Sequence, residues 1–348
     1  MRVVFDERQL AHNPSDYFRR GALVPHPEQP ERAVLLRDAL ISSGNTIVAP
    51  ADHGREAIDA IHDPAYVDFL LDGWKAWKSA IGSDIAAVPN YHPGRSHHRI
   101  PESIIGKLGY YIADTGCPIV EGTAQAVYWS AQSAIDAAVQ IGLKRQGFIY
   151  ALCRPPGHHA YRGQANGFCF LNNAAIAAQI LRAHFSRVAI IDIDTHGGNG
   201  TQEIFYDRGD VLFASIHVDP SDYPPYYMGY ADETGAGGGA GATVNLLLQP
   251  GATTEIILDR LDTAISASRA FGAEAMVVSL GFDMSQDDPL SLVRMTGEGF
   301  EQAARKLASV NLPTVLVQEG GYLGPSLANN AVRFLDAFEK RREAMAGR

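Results

Sequence analysis

Cysteine is scarce in this chain: Cys117, Cys153 and Cys169 are the only three in 348 residues. None belongs to a Cys-x-x-Cys pair, and an odd, sparse set argues against a disulfide framework and for a reducing compartment. Long apolar runs are missing as well. None approaches the roughly 20 residues of a membrane span. The N-terminal MRVVFDERQL carries charges where a signal peptide needs an apolar stretch. These absences point to a cytoplasmic protein with no membrane partner. Positive charge is also in deficit, with 29 Lys and Arg against 39 Asp and Glu and a net charge of -10. Nucleic acid is therefore not an expected partner, because a phosphate backbone would be repelled. No Walker lysine and no Gly-x-Ser-x-Gly elbow appear. The glycine run Gly235 to Ala240 has neither a strand before it nor a helix after it, so it reads as a loop and not as a dinucleotide fingerprint.

What is present is a sequence able to bury a large core, 46% of it hydrophobic. Short β-branched runs recur at Phe148–Leu152, Val188–Ile193, Val211–Val218, Ala275–Leu280 and Thr314–Gln318. Between them, apolar residues at three- and four-residue spacing predict helices over Asn173–His184, Thr253–Phe271 and Gly297–Val310. Apolar strands alternating with helices predict an α/β fold, a parallel sheet with helices on both faces. Ligands of such folds gather at the carboxyl ends of the strands. The first hundred residues read as less regular. The polar stretch Tyr91–Arg99 reads as part of a long loop insertion around residues 85–105 of a single domain spanning 1–348.

Four strand ends carry chemistry. The run Val188–Ile191 continues into DIDTHGGNG, residues 192–200. In an extended strand Asp192, Asp194 and His196 would share a face, and a carboxylate with an imidazole suits a divalent metal such as zinc. The plainer alternative is a solvated strand end. A second tip, Leu280-Gly281-Phe282-Asp283, adds a carboxylate, and an Asp-His-Asp set leaves a coordination position open for chemistry. A third, Cys153-Arg154-Pro155-Pro156-Gly157-His158-His159-Ala160, places two histidines after a backbone stiffened by proline. Imidazoles titrate near neutrality and serve as general acids and bases. The pair His97-His98 has no strand before it and reads as mostly solvated. The fourth tip, Gln318-Glu319-Gly320-Gly321-Tyr322, offers a phenol able to donate to a developing oxyanion.

In combination and in this order, RPPGHHA, the D-x-D-x-H tip, LGFD and EGGY resemble the histone deacetylase superfamily with its arginase-like fold. The length and the N-terminal Arg2-Val3-Val4-Phe5 look most like the bacterial acetylpolyamine amidohydrolases. The resemblance implies one zinc ion held by Asp194, His196 and Asp283, polarising an acetamide carbonyl for attack by water. It implies His159 as principal general base, His158 as electrostatic helper and Tyr322 as oxyanion donor. Asp192 would orient His158 and, with Ser215 and the backbone at Ile216, hold a structural potassium ion. Phe168 matches one wall of the acyl tunnel, and Tyr223, with Tyr226 and Tyr227 beside it, is a candidate for the other. The expected substrate is a small acetylated amine such as an acetylpolyamine, and the expected assembly is a homodimer. Asp114 is the candidate reader of a distant substrate cation, and Cys117 near it is not acidic.

Two departures from the family pattern stand out. Gly197 occupies the place of a second histidine after the D-x-D, which removes a ring beneath the metal ligand. Asn199 stands where many relatives carry an aspartate facing the second histidine of the pair. A neutral amide raises an imidazole's pKa much less than a carboxylate does, so His159 is expected to rest neutral. Alternative readings are an acetyl-lysine protein deacetylase, an arginase-like ureohydrolase with two manganese ions, and a non-catalytic acetyl-ligand sensor. The ureohydrolase would need a second carboxylate where this chain has Asp283-Met284-Ser285.

Overall fold

The computed structural model describes residues 1–94 and 99–347. Its strands are β1 (Arg2–Val4), β2 (Asp16–Arg19), β3 (Ala22–Pro25), β4 (Thr46–Val48), β5 (Phe148–Ala151), β6 (Val188–Asp192), β7 (Val211–Val218), β8 (Thr243–Leu248), β9 (Ala275–Leu280) and β10 (Thr314–Gln318). Its helices are α1 (Pro30–Ser42), α2 (Glu56–Asp59), α3 (Pro64–Ile81), α4 (Ile104–Tyr111), α5 (Thr123–Lys144), α6 (Asn173–Arg182), α7 (Asn199–Phe205), α8 (Thr254–Phe271), α9 (Gly297–Ala308) and α10 (Leu327–Ala346). Eight strands form one sheet in the order β4-β1-β5-β10-β9-β6-β7-β8, every neighbouring pair parallel. The remaining two, β2 and β3, pair as an antiparallel hairpin.

Strand periodicity sorts the apolar residues into two layers. Ile149, Ile190, Phe213, Val277 and Val315 face one way and are covered by α3, α5 and α6. Tyr150, Ile191, Ala214, Val278 and Leu316 face the other way, under α1, α8, α9 and α10. Burial on both faces explains why these strands read as continuous apolar runs. Each fully buried Val, Ile or Phe contributes roughly 1.5–3 kcal/mol of transfer free energy, so a polar substitution at Val277 or Val278 would break the central strand. The helices on the first face lie close because α5 turns alanines inward, Ala131, Ala134 and Ala138 among them. Local signals set the ends. Asn172 and Thr296 cap α6 and α9 through their side chains, and Gly272 at φ 74° stops α8.

The N-terminal third is more regular than its sequence suggests. The strands β1 and β4 extend the sheet beside β5, and α1 and α3 pack on opposite faces. Three-residue strands are too short to display a period, and α1 hides its inward face by burying Arg32 alongside Ala33, Leu36 and Leu40. The expected loop around 85–105 gives way to α4 at Ile104 and is tied at Ala87 by a bridge to Ile119. The pair His97-His98 lies outside the described residues. No helix among the described residues is long and apolar enough to cross a membrane.

Candidate metal centre and active site

All strands of the main sheet are parallel, so their carboxyl ends share one edge. The four chemical tips follow β5, β10, β9 and β6, which are consecutive in the sheet. Topology alone therefore gathers them.

The strand β6 ends at Asp192, so the expectation that Asp194 and His196 extend its face fails. Two successive side-chain turns do the work instead. The Asp194 N–H donates to Asp192 Oδ1 at 3.1 Å, and the His196 N–H donates to Asp194 Oδ1 at 2.9 Å. Aspartate favours such turns because its carboxylate reaches the backbone two residues on. They curl the chain so that Asp194 and His196 converge with Asp283 from β9. Ligand atoms of the three lie within 4.8 Å of one another. His196 Nδ1 is 3.1 Å from Asp194 Oδ1 and 3.2 Å from Asp283 Oδ2. The other carboxylate oxygens are anchored. Asp194 Oδ2 accepts from the Gly320 N–H at 2.8 Å, and Asp283 Oδ1 from the Thr195 N–H at 3.0 Å. A side chain at Gly320 would stand 2.2 Å from Asp283 Oδ2 and 2.4 Å from Asp194 Oδ2, so only glycine lets β10 close this cage. The next residue, Gly321, turns at φ 112°, a conformation suited to glycine.

The electrostatics fit a cation. Burial and the neighbouring Asp194 push Asp283 up to about 7. Burial opposes charge on His196, but hydrogen bonding to Asp194 and Asp283 overcomes it and lifts the imidazole to about 9. Two buried carboxylates side by side need positive charge between them. The donor set, two oxygens and one nitrogen with a side open to the cavity, suits zinc.

The histidine pair flanks this set. His158 Nδ1 meets Asp192 Oδ2 at 3.0 Å, and the charges of Asp194 and Asp192 outweigh burial to raise His158 to about 10. His159 lies beside it, ring centroids 4.0 Å apart, and is driven well below its usual range by burial and by the charges of His158 and His196. Its Nδ1–H donates to Asn199 Oδ1 at 2.5 Å, leaving Nε2 with its lone pair. Asn199 donates in turn to the Tyr161 hydroxyl.

Tyr322, Phe168, Tyr223, His159 and His196 line one cavity of about 350 Å³. Burial holds the Tyr322 phenol protonated. Asp114 also lines this cavity, but its two oxygens accept from the Gly116 and Gly167 N–H groups. Tyr226 reaches the same wall, whereas Tyr227 is 89% exposed and borders an adjoining cavity. Asp192 and Ser215 are register partners across β6 and β7. The ring missing at Gly197 has a substitute. A Cβ there would lie 3.1 Å from the imidazole of His217, which fills the adjacent space.

A family model described as the histone deacetylase domain matches residues 26–338. The chain belongs to the histone deacetylase family. Members of this family are hydrolases acting on amide bonds. An acetylpolyamine amidohydrolase of Burkholderia pseudomallei (strain 1710b) is 43% identical over 348 residues, spanning 97% of this chain and 98% of its own. One from Mycoplana ramosa is 41% identical over 337 residues, spanning 96% and 98%. The crystal structure of an acetylpolyamine aminohydrolase from Burkholderia pseudomallei superposes with a TM-score of 0.94 at 42% identity, covering 98% of this chain and 99% of that one.

Sequence reasoning missed a further layer of residues around this family site. Glu319 is fully buried and accepts from the Gly157 and His158 N–H groups at 2.7 and 3.1 Å. Asp288 accepts from the Tyr322 N–H at 2.7 Å. Arg32 donates to the carbonyls of Glu319 and Gly321, and its guanidinium lies 4.7 Å from the Tyr322 ring centre. Glu319 stood in the quoted motif. Arg32 had no local signal, because its partners are nearly 290 residues away.

Proposed function

We propose that this chain is a zinc-dependent amidohydrolase that removes acetyl groups from small N-acetylated amines, acetylpolyamines and related acetamides being the class. One observation carries the reading. Asp194, His196 and Asp283 converge on a single point beside a neutral imidazole and a protonated phenol that line the same cavity. Zinc bound by those three residues would supply a Lewis acid that polarises the acetamide carbonyl and acidifies water beside it.

The remaining steps belong to the protein. His159 accepts the water's proton at Nε2, since its Nδ1–H is committed to Asn199, and later delivers it to the leaving amine. His158, kept charged by Asp192 and Asp194, stays a fixed positive neighbour and does not exchange that proton. The Tyr322 hydroxyl donates to the carbonyl oxygen as negative charge develops there. Phe168 and Tyr223 bound the acetyl-bearing chain. For the structural potassium ion, the pairing of Asp192 with Ser215 is supporting evidence. The Ser215 hydroxyl faces His217 Nδ1 at 2.8 Å, while His217 Nε2–H donates to the Gly229 carbonyl at 2.9 Å. That tautomer takes the serine's hydrogen and leaves its lone pairs for a cation. A homodimer is supported by exposed Tyr91 and Ile100 on the segment that precedes α4.

Turnover of acetylputrescine and other acetamides is the test, before and after exhaustive chelation and after zinc is returned. Full activity in the chelated protein would overturn the metal's role. No turnover by folded, zinc-loaded protein would favour the sensor. Metal analysis separates the ureohydrolase, which requires two manganese ions. Against it, the β9 tip supplies one carboxylate and continues into the core residue Met284.

A further inference from the structure

The cavity that reaches His159, His196 and Tyr322 has a mouth of unexpected sign. The residues around its entrance include Arg19 and Arg20, at the tip of the β2–β3 hairpin. Arg20 at φ 49° and Gly21 at φ 85° form the two-residue turn. This hairpin is held against the site. The Thr115 hydroxyl donates to the Phe18 carbonyl at 2.7 Å, and the Tyr17 ring meets His26 and Phe168 edge-on at 5.2 and 5.6 Å. The arginines are thus carried by a docked element. Arg19's charge acts on the phenols of Tyr17 and Tyr223, against the burial that raises both.

Among the described residues neither guanidinium forms an ion pair. The carboxylate on this wall, Asp114, is spent on two backbone N–H groups and is pushed up by burial. In the adjoining cavity, Asp63 caps α3 and Glu203 accepts from the Arg162 N–H. The chain's net charge of -10 does not decide the matter, because charges beyond a Debye length of about 8 Å are screened at physiological salt. The local pair dominates. An ammonium at the far end of a substrate would meet two cations there.

We propose that Arg19 and Arg20 receive an anionic group at the distal end of the substrate, so that the preferred substrates are N-acetylated amines bearing a carboxylate, such as N-acetylated ω-amino acids. The proposal rests on the amidohydrolase reading and, within the small acetamides it covers, puts anionic substrates ahead of the acetylpolyamines. Guanidinium groups match carboxylates bidentately and keep their charge at any working pH.

The test uses the full, zinc-loaded chain and acetamides of equal length, with three to five methylenes, ending in carboxylate, methyl or ammonium. The expected order of kcat/KM is carboxylate, methyl, ammonium, with about tenfold between successive members at low salt and a smaller spread at high salt. Joint Arg19→Gln and Arg20→Gln substitution brings the carboxylate-to-methyl ratio towards unity, and Arg19→Glu moves preference towards ammonium. An ammonium substrate preferred by the unaltered protein, or a ratio that the substitutions leave in place, overturns the proposal. If no member is turned over, the amidohydrolase reading fails by itself. Calorimetric binding of the same three ligands then still reports the preference of the mouth, and equal affinities refute it.

Discussion

The Tyr223 hydroxyl donates to the Leu290 carbonyl and therefore accepts the Nε2–H of His196, 3.0 Å away. A phenol has one hydrogen, so this chain of two bonds holds a proton on Nε2 of His196 and makes Nδ1, whose hydrogen faces Asp194 and Asp283, the nitrogen that would give up its proton to a metal held there. The rings lie nearly parallel, 16° apart, with centroids 4.9 Å apart. Expected from the sequence as a tunnel wall, Tyr223 is also the partner that orients a metal ligand. Tyr223→Phe keeps the wall and removes the acceptor. Loss of such a partner typically costs 10–100-fold in metal affinity. Zinc affinity measured against a competing chelator should fall by that factor, with activity recovering in part at saturating zinc. An unchanged affinity would leave Tyr223 a wall only.

Asp283→Asn separates a metal ligand from a structural carboxylate. Burial and Asp194 destabilise the ionised form of Asp283. An amide retains an acceptor for the Thr195 N–H and removes the repulsion. The metal-free variant should melt at or above the temperature of the metal-free parent. Zinc at a hundredfold excess over Kd should stabilise the parent by about 2.7 kcal/mol and the variant far less. A variant that melts well below the parent without metal would indicate that the carboxylate serves the fold. Gly320→Ala, which drives a methyl group into both carboxylates, should abolish the zinc-induced shift as well.

The central strands were legible because burial on both faces makes them continuous apolar runs, and β7, β9 and β10 match their expected limits residue for residue. The four tips were legible because chemistry-bearing residues directly follow those runs. The N-terminal third was not. Its strands are three or four residues long, and α1 owes its place to long-range contacts that bury Arg32. The convergence of Asp194 and His196 was anticipated for the wrong reason, strand alternation instead of two aspartate turns. The charge of the mouth was hidden for a different reason. Arg19 and Arg20 lie some 140 residues before His159, and nothing local in a hairpin tells which site it covers.

Asn199 sets the working pH of His159. Its carbonyl accepts the Nδ1–H at 2.5 Å without contributing charge, so burial prevails and the imidazole rests neutral. Asn199→Asp places a carboxylate there and should raise the imidazole's pKa by about 1–2 units. A general base must be unprotonated to act, so a higher pKa leaves less of it available at a given acidic pH. The acid limb of the kcat/KM profile should therefore move to higher pH. A limb that stays in place would remove His159 from the base's role.

Glu319 ties the histidine tip to the tyrosine tip. Its Oε2 accepts from Gly157 and His158, and its Oε1 from the Ser279 hydroxyl at 3.3 Å. Truncation to alanine leaves two buried N–H groups unsatisfied, at about 1–3 kcal/mol each. Glu319→Ala should lower the melting temperature by several degrees and reduce kcat about tenfold with KM little changed, because the histidines lose their placement. A glutamine can present one oxygen to both N–H groups and its amide to Ser279, so Glu319→Gln should restore most of the rate. The pH dependence separates the two variants from a simple packing effect. Burial pushes the Glu319 carboxyl from 4.5 up to about 7. A raised folded pKa means that the group's contribution to stability is complete below about 4.5 and is lost as pH rises through 7, a change of roughly 3 kcal/mol. Denaturant titrations of the metal-free protein between pH 4.5 and 8 should show that decline in the parent and a shallower one in Glu319→Gln. Parallel slopes would mean that Glu319 ionises no differently in the folded chain than in the unfolded one.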